Sequence, residues 1–119
     1  MSKIMVVDDE RDLREMVSFM MEKEGFETMM AEDGSDFLDK LDQFNPDIVT
    51  LDVMMPGLKT RKILEGLKDK KSNPKIVLLT VVRYSEEEKK ELFKTGNIVD
   101  YITKPFDIDE LMNRINKHL

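Results

Sequence analysis

The spacing of apolar residues changes along the chain, and these changes predict five strands that alternate with five helices. Each predicted strand is a short run rich in apolar residues, as expected for strands buried in a parallel sheet; the runs are residues 3–7, 26–31, 47–52, 75–80 and 98–103. Between them, apolar residues recur at helical spacing, as do Leu13, Met16, Val17, Met20 and Met21. The alternation predicts an α/β fold, a (βα)5 doubly wound parallel sheet with helices on both faces.

Residues that begin or end helices sharpen these boundaries. Gly25 predicts the end of the first helix. Ser85, with Glu88 three residues later, has the pattern of a capping box at the start of the fourth helix. Asp107 is suited to cap the fifth helix. The third helix is expected to end at residues 71–73.

Length and composition indicate one globular domain over residues 1–119. Of the 119 residues 40% are apolar and 37% charged, and no repeat, linker or low-complexity tract interrupts them. No apolar run is long enough to span a bilayer, and no leader resembles a signal peptide. We therefore expect a cytoplasmic protein without a membrane partner.

Net charge and the lack of cysteine exclude several kinds of site. Without cysteine, the chain can form neither disulfides nor thiolate metal sites. His118 is the only histidine, which disfavours a histidine-based zinc site or a Ser-His-Asp triad. A net charge of −6 disfavours direct binding of nucleic acid. The short basic cluster at residues 68–71 is more typical of a solvated helix end.

Charged and polar side chains follow four of the five predicted strands, in the order Asp8, Asp9, Asp52, Thr80 and Lys104. In a doubly wound sheet the carboxyl ends of the strands share one edge, and ligands bind there. We therefore expect three carboxylates, one hydroxyl and one ammonium group to meet at this edge. We call these five residues the acidic rim.

The acidic rim predicts a magnesium site and phosphate chemistry. Three neighbouring carboxylates repel one another unless a cation joins them, and carboxylates without histidine or cysteine suit Mg²⁺. Mg²⁺ is commonly bound together with phosphate oxygens, which Lys104 and Thr80 can also bind. An aspartate beside Mg²⁺ can act as a nucleophile and carry an aspartyl-phosphate. Taken singly, the same residues also fit a helix cap, a structural threonine and the start of a loop.

Four motifs in this order and spacing resemble the response-regulator receiver domain of two-component signalling. They are VVDDE at 6–10, TLDVMMPG at 50–57, VLLT at 77–80 and DYITKPF at 100–106. The resemblance covers essentially the whole chain and is closest to stand-alone, chemotaxis-type receivers. It implies a flavodoxin-like strand order, 2-1-3-4-5.

The resemblance also implies roles for the acidic residues. Asp52 would accept a phosphoryl group from a phosphohistidine on a sensor histidine kinase. Asp9 and Asp52 would ligate Mg²⁺ together with the backbone carbonyl of Met54. Asp8 would act largely through a water.

Further implications concern the residues around the phosphoryl group. Thr80 and Lys104 would bind its oxygens. Thr80 and Tyr101 match the family's switch positions, at which the hydroxyl moves toward the phosphate and the aromatic ring moves inward. Tyr101 also fits an ordinary half-buried strand residue, since aromatic residues are common in strands. The peptide bond between Lys104 and Pro105 is a candidate for the cis form, which the family typically has at this position.

The expected output is a phosphorylation-dependent change in affinity for a partner protein rather than an enzymatic reaction. The face formed by helix four, strand five and helix five is the candidate partner surface, with Glu86, Glu87, Glu88, Lys90 and Tyr101 as candidate contacts. A charge run of this kind also fits a solvated helix face. A monomer and a phosphorylation-dependent dimer are both compatible with the sequence.

Three departures from the family pattern follow strands three and four. Residues 58–60 are Leu-Lys-Thr where the family has an apolar residue and Asp-Gly, and Val81 replaces a smaller residue. Met54 and Val82 occupy positions that tune dephosphorylation, and neither side chain can hydrogen-bond an attacking water. The sequence therefore predicts slow autodephosphorylation.

Two other functions would also use a phosphate site on this fold. A haloacid-dehalogenase-type phosphatase would carry its nucleophile in an Asp-x-Asp motif after strand one, whereas residues 8–11 read Asp-Asp-Glu-Arg and no cap segment is inserted. A flavodoxin-like carrier would need a phosphate-binding loop after strand one, where Asp8 and Asp9 would instead repel an FMN phosphate.

Overall fold

The computed structural model describes residues 2–52, 60–81, 83–94 and 96–119, with the backbone alone at residue 60. Within these ranges five strands alternate with five helices, as predicted. The strands are β1 (Lys3–Val7), β2 (Glu27–Ala31), β3 (Ile48–Asp52), β4 (Lys75–Thr80) and β5 (Ile98–Thr103). The helices are α1 (Arg11–Lys23), α2 (Gly34–Phe44), α3 (Thr60–Leu67), α4 (Glu86–Phe93) and α5 (Ile108–His118). No helix within the described ranges has the length and apolar content needed to cross a bilayer.

The strands form one parallel sheet in the order β2-β1-β3-β4-β5, which confirms the order implied by the resemblance. β3 lies at the centre and is buried along its whole length, so its continuous apolar run needs no polar face. The register pairs Val7 with Leu51 and Asp52 with Leu79. Because all strands run the same way, this register places the residues that end β1, β3 and β4 side by side.

Two hydrophobic cores hold the helices against the sheet. On one face, Phe37 and Leu41 of α2 and Ile63 of α3 pack on alternate residues of the strands. On the other face, α1 and α5 pack through Val17, Met21, Leu111, Met112 and Ile115. Burial of these apolar side chains is the main stabilising contribution to the fold. It makes the sheet a rigid support for the residues at its carboxyl edge.

The helix boundaries confirm most of the signals in the sequence. Ser85 and Glu88 form the predicted capping box, in which each side chain accepts a hydrogen bond from the other residue's backbone N–H. Asp107 caps α5 by accepting a bond from the Glu110 N–H. Gly25 has a φ of +94°, a conformation that favours glycine, two residues after the end of α1.

The prediction for the end of the third helix is wrong. α3 ends at Leu67, not at residues 71–73. Backbone bonds from Lys70 N to Leu67 O (3.0 Å) and from neighbouring donors close tight turns of the i→i−3 kind after the helix. The Asp42 carboxylate then accepts the N–H groups of Lys71 and Ser72, both at 3.0 Å. These long-range bonds direct the chain away from the helix axis.

Candidate functional site

Three aspartates meet at the carboxyl edge of the sheet, as the sequence predicts. Asp8 follows β1 and Asp52 ends β3, and these two residues are 2% and 6% exposed. Asp9 is exposed. One carboxylate oxygen from each of the three lies within 4.8 Å of the others. Chain segments far apart in sequence therefore build one acidic cluster at the centre of the sheet edge.

Lys104 is the cation that the structure places nearest to this cluster among the described residues. Its Nζ lies 3.6 Å from an oxygen of Asp8 and 3.6 Å from an oxygen of Asp52. The Lys104 N–H donates to the Thr80 carbonyl at 2.7 Å, which fixes the loop after β5 against the end of β4. The bond from Lys104 to Pro105 is cis, as expected from the resemblance.

The electrostatics of Asp8 show how incompletely the cluster is neutralised. Burial raises the pKa of the Asp8 carboxyl, and the negative charges of Asp52 and Asp9 add to that increase. The Glu10 N–H, which donates to Asp8 at 2.9 Å, and the Lys104 charge lower the pKa without cancelling the rise. The cluster is therefore short of positive charge.

The donor set fits a magnesium ion. Three carboxylates without a soft ligand are hard oxygen donors, and a divalent cation would offset both the burial and the repulsion that raise the pKa of Asp8. Asp8, Asp9 and Asp52 are the residues that would hold it. Met54, whose carbonyl the resemblance adds to this set, lies outside the described residues, as do Val82 and residues 58 and 59.

The connection between β1 and α1 is fixed by a residue that sequence reasoning missed. Arg14 donates from Nη1 to the backbone carbonyl of Asp8 at 2.8 Å. The Glu10 side chain caps α1 by accepting from Leu13 N at 3.0 Å. Together these bonds hold the loop that carries Asp8 and Asp9. The sequence signal for Arg14 is only its place in the first turn of a helix that follows the acidic pair.

Thr80 and Tyr101 lie where the sequence predicts, at the end of β4 and within β5. Thr80 is fully buried and Tyr101 is half-buried. A second aromatic residue, Tyr84, lies between the two. Its ring meets the Tyr101 ring edge-on, with centroids 5.5 Å apart and planes at 81°, and its hydroxyl shares a hydrogen bond with Thr80. Sequence reasoning missed Tyr84 because no local pattern relates it to either partner.

Comparison with known proteins gives a consistent result. The family model for the response regulator receiver domain matches residues 4–116. The fold resembles the response regulator TrrA from Thermotoga maritima, solved in complex with Mg²⁺-BeF, with 35% identity, a TM-score of 0.81 and 100% of each chain covered. The receiver domain of Francisella response regulator 1452 is 33% identical, with a TM-score of 0.84, and the match covers 98% of this chain and 95% of that one.

A third solved structure, the chemotaxis response regulator CheY4 of Vibrio cholerae, is 28% identical, with a TM-score of 0.88 and coverage of 100% of this chain and 99% of that one. The family match favours neither the phosphatase nor the flavodoxin-like carrier. Receivers act as phosphorylation-activated signalling switches rather than as enzymes of metabolism. The acidic cluster, the strand order and the match over residues 4–116 agree, and the chain belongs to the response regulator receiver family.

Proposed function

We propose that this protein is a cytoplasmic signalling switch, a receiver over residues 1–119, that accepts a phosphoryl group on Asp52 from a sensor histidine kinase. The observation that carries the proposal is the geometry of the cluster. Three carboxylates lie within 4.8 Å of one another, and the Lys104 ammonium group is 3.6 Å from two of them. Such a site can hold a divalent cation and a phosphoryl group side by side.

The proposed chemistry is a single displacement at phosphorus. A carboxylate oxygen of Asp52 forms the new P–O bond while the P–N bond of phosphohistidine breaks, and the imidazole nitrogen leaves with the electron pair. Lys104 and Thr80 bind the phosphoryl oxygens. Asp8, Asp9, Asp52 and the Met54 carbonyl would hold Mg²⁺, which would supply positive charge to offset that of the phosphoryl group. The complex of TrrA with Mg²⁺-BeF supports such a site in a relative.

The proposed output is a change in the surface formed by α4, β5 and α5. Thr80 and Tyr101 are the switch residues, and phosphorylation shifts them between two arrangements. Tyr101 lies beside a groove of about 330 Å³ between α4 and α5, into which Lys89 and Glu110 also project. A downstream protein would read this groove together with the exposed charges of α4, Glu86, Glu87, Glu88 and Lys90.

An apolar surface beside the acidic rim supports a protein as the phosphodonor. Met16 of α1 is 45% exposed and Val81 is 58% exposed, and with Phe106 they border a groove of about 420 Å³ next to Lys104. Exposed apolar side chains grouped in this way are typical of an interaction site. A protein donor that brings its phosphohistidine to the acidic rim would pack its side chains against this groove.

Mass measurement after incubation with Mg²⁺ and a small acyl-phosphate donor tests the proposal. We expect the wild-type protein to gain one phosphoryl group and the Asp52→Ala variant to gain none. Omission of Mg²⁺, or its chelation, should prevent the gain in the wild type. Equal labelling of both proteins, or no labelling when a known receiver reacts in parallel, would refute the proposal.

Slow loss of the phosphoryl group stays a prediction of the sequence. Met54→Asn and Val82→Glu would each place a side chain that can hydrogen-bond an attacking water. We expect faster decay of the acyl-phosphate in at least one of these variants than in the wild type. Unchanged or slower decay in both variants would contradict the prediction.

A further inference from the structure

The connection between β4 and α4 carries a residue that the proposed chemistry does not use. Tyr84 lies four residues after Thr80 and directly before Ser85, the residue that caps α4. It is half-buried, although it belongs to a connection whose neighbours Arg83 and Ser85 are exposed. A large side chain that turns inward from an exposed loop has partners in the interior.

Two contacts of Tyr84 within the described part of the chain are with proposed switch residues. The Tyr84 hydroxyl shares a hydrogen bond with the side chain of Thr80, which is fully buried. The Tyr84 ring meets the Tyr101 ring edge-on at 5.5 Å, an arrangement favoured between aromatic rings. Neither Thr80 nor Tyr101 can therefore change position without breaking a contact with Tyr84 or moving Tyr84 with it.

The other side of Tyr101 is held by the helix that follows. Lys89 of α4 lies over the Tyr101 ring, with Nζ 5.3 Å from the ring centroid, and it also pairs with Glu86 at 3.2 Å. Tyr101 thus lies between Tyr84 and Lys89. None of the described side chains of α4 is fully buried, so a shift of this helix would expose little apolar surface to water.

The chemical state of Tyr84 suits a hydrogen-bonding role. Burial raises the pKa of the Tyr84 phenol; the hydrogen bond with Thr80 lowers it without cancelling the rise, and the charge of Glu88 adds to the rise. The phenol therefore stays protonated at neutral pH, and its hydroxyl can both donate and accept.

We propose that Tyr84 is a positioning residue that acts through Thr80 and holds the switch in its unphosphorylated arrangement. The hydroxyl keeps the Thr80 side chain at its present position, and the ring supports Tyr101 in its half-buried position. Phosphorylation must then break the hydrogen bond between Tyr84 and Thr80 before Thr80 can reach a phosphoryl oxygen. The inference rests on the proposed function, because it assigns a regulatory residue to the same site.

Binding of beryllofluoride in the presence of Mg²⁺ tests the inference, since this phosphoryl mimic needs no kinase. Tyr84→Phe removes the hydroxyl and keeps the ring, so the variant should still fold, and its melting temperature should drop by no more than the loss of one neutral hydrogen bond explains. The variant loses a neutral hydrogen bond in the unphosphorylated arrangement only. It should therefore bind beryllofluoride roughly three- to tenfold more tightly than the wild type. Unchanged or weaker binding by the variant would overturn the inference.

A double-mutant cycle with Thr80→Val separates action through Thr80 from a general loosening of the loop. In the Thr80→Val background, Tyr84→Phe should leave the affinity for beryllofluoride unchanged, because the hydrogen bond is already absent. The same tightening in both backgrounds would show that Tyr84 does not act through Thr80.

The Thr80 methyl resonance of the free protein gives a second readout that a purely structural role would not move. In Tyr84→Phe it should move along the line that leads from free to beryllofluoride-bound wild type, since the variant shifts the population of the two arrangements. An unmoved resonance, or one displaced off that line, would contradict the inference. If wild-type protein itself binds no beryllofluoride with Mg²⁺, the proposed function fails instead; if wild type binds and Tyr84→Phe does not differ, only the inference fails.

Discussion

Two buried aspartates, Asp8 beside the phosphoryl site and Asp100 in β5, have opposite electrostatic environments. Asp100 is 8% exposed, and its carboxylate accepts hydrogen bonds from Arg114 Nη1 at 2.6 Å and Tyr101 N at 2.9 Å, with His118 Nε2 at 3.0 Å. Asp8 is 2% exposed, and the nearest cation among the described residues is Lys104, at 3.6 Å and shared with Asp52. The charge of Asp100 is neutralised by side chains of the same protein, whereas the charge of Asp8 is not fully neutralised.

The pKa values follow from this difference. Burial alone would raise the pKa of Asp100, but the bonds from His118 and Arg114 outweigh it and lower the pKa. Burial raises the pKa of Asp8, and its partners do not compensate. A buried carboxylate that is neutralised by cationic side chains and hydrogen-bond donors stabilises the fold. One that is not neutralised in this way destabilises the fold and is retained because it binds a ligand, here a cation.

The largest effect on stability is expected from Asp100→Asn. The substitution removes the negative charge that Arg114 and His118 surround, and it should lower the free energy of unfolding by about 1–3 kcal/mol, because Arg114 is partly exposed and can recover some hydration. Urea unfolding measures the change. Phosphoryl uptake at Asp52 should survive in the folded variant. A variant as stable as the wild type would show that the cluster around Asp100 contributes nothing.

The same substitution at Asp8 should have the opposite sign. Asp8→Asn removes an unmatched buried charge, and we expect the melting temperature at neutral pH without Mg²⁺ to rise by about 3–6 °C. Added Mg²⁺ should stabilise the wild type more than this variant. Asp9→Asn is the matched control, because Asp9 is exposed and should alter stability little. Destabilisation by Asp8→Asn would contradict the assignment of Asp8 as an unmatched charge.

Acid should reveal the difference between the two aspartates. An unfolded aspartate has a pKa of about 3.9. The stabilisation from Asp100 is fully present above that value and is lost as the pH falls through the lowered pKa of the folded protein. The loss in Asp100→Asn relative to the wild type should therefore shrink below about pH 4. Thermal unfolding in a buffer series from neutral to acid pH measures it, and a pH-independent difference would contradict it.

For Asp8 the sign is reversed, because its folded pKa is raised. Ionisation then reduces stability progressively as the pH rises through that pKa. The advantage of Asp8→Asn should accordingly be absent in acid and grow as the pH rises through the folded pKa of Asp8.

The smallest effect is expected from His118→Gln. Glutamine can still donate a hydrogen bond to Asp100, and Arg114 stays at 2.6 Å, so the loss of stability at neutral pH should be about 0.5 kcal/mol. Lys117→Gln, an exposed neighbour on α5, is the control. A loss as large as that of Asp100→Asn would make His118, rather than Arg114, the main partner of Asp100.

Much of the fold could be predicted because its signals are local. The bounds of β1, β4 and β5 agree with the apolar runs, and the capping box at Ser85 was identified from two residues alone. The end of α3 could not be predicted, since it depends on Asp42, which reaches the chain after the helix from 29 residues away in sequence. Tertiary hydrogen bonds outweigh helix propensity there.

The acidic rim was predictable for a different reason. Parallel topology brings the ends of the strands to one edge, so Asp8, Asp52 and Lys104 could be placed together from their positions after apolar runs. The environment of Asp100 was not predicted, although Arg114 and His118 are four residues apart and share one face of α5. That spacing is common on solvated helices, and only the fold shows which strand residue it faces.

The measurement that tests the central claim most directly is the location of the phosphoryl group. Protein treated with Mg²⁺ and a small acyl-phosphate would be reduced with borohydride, which converts an aspartyl-phosphate to homoserine, and then digested and sequenced by mass spectrometry. We predict conversion of Asp52, with Asp8, Asp9 and Asp100 unmodified. Conversion at any of those three instead of Asp52, or modification that does not depend on Mg²⁺, would contradict the account.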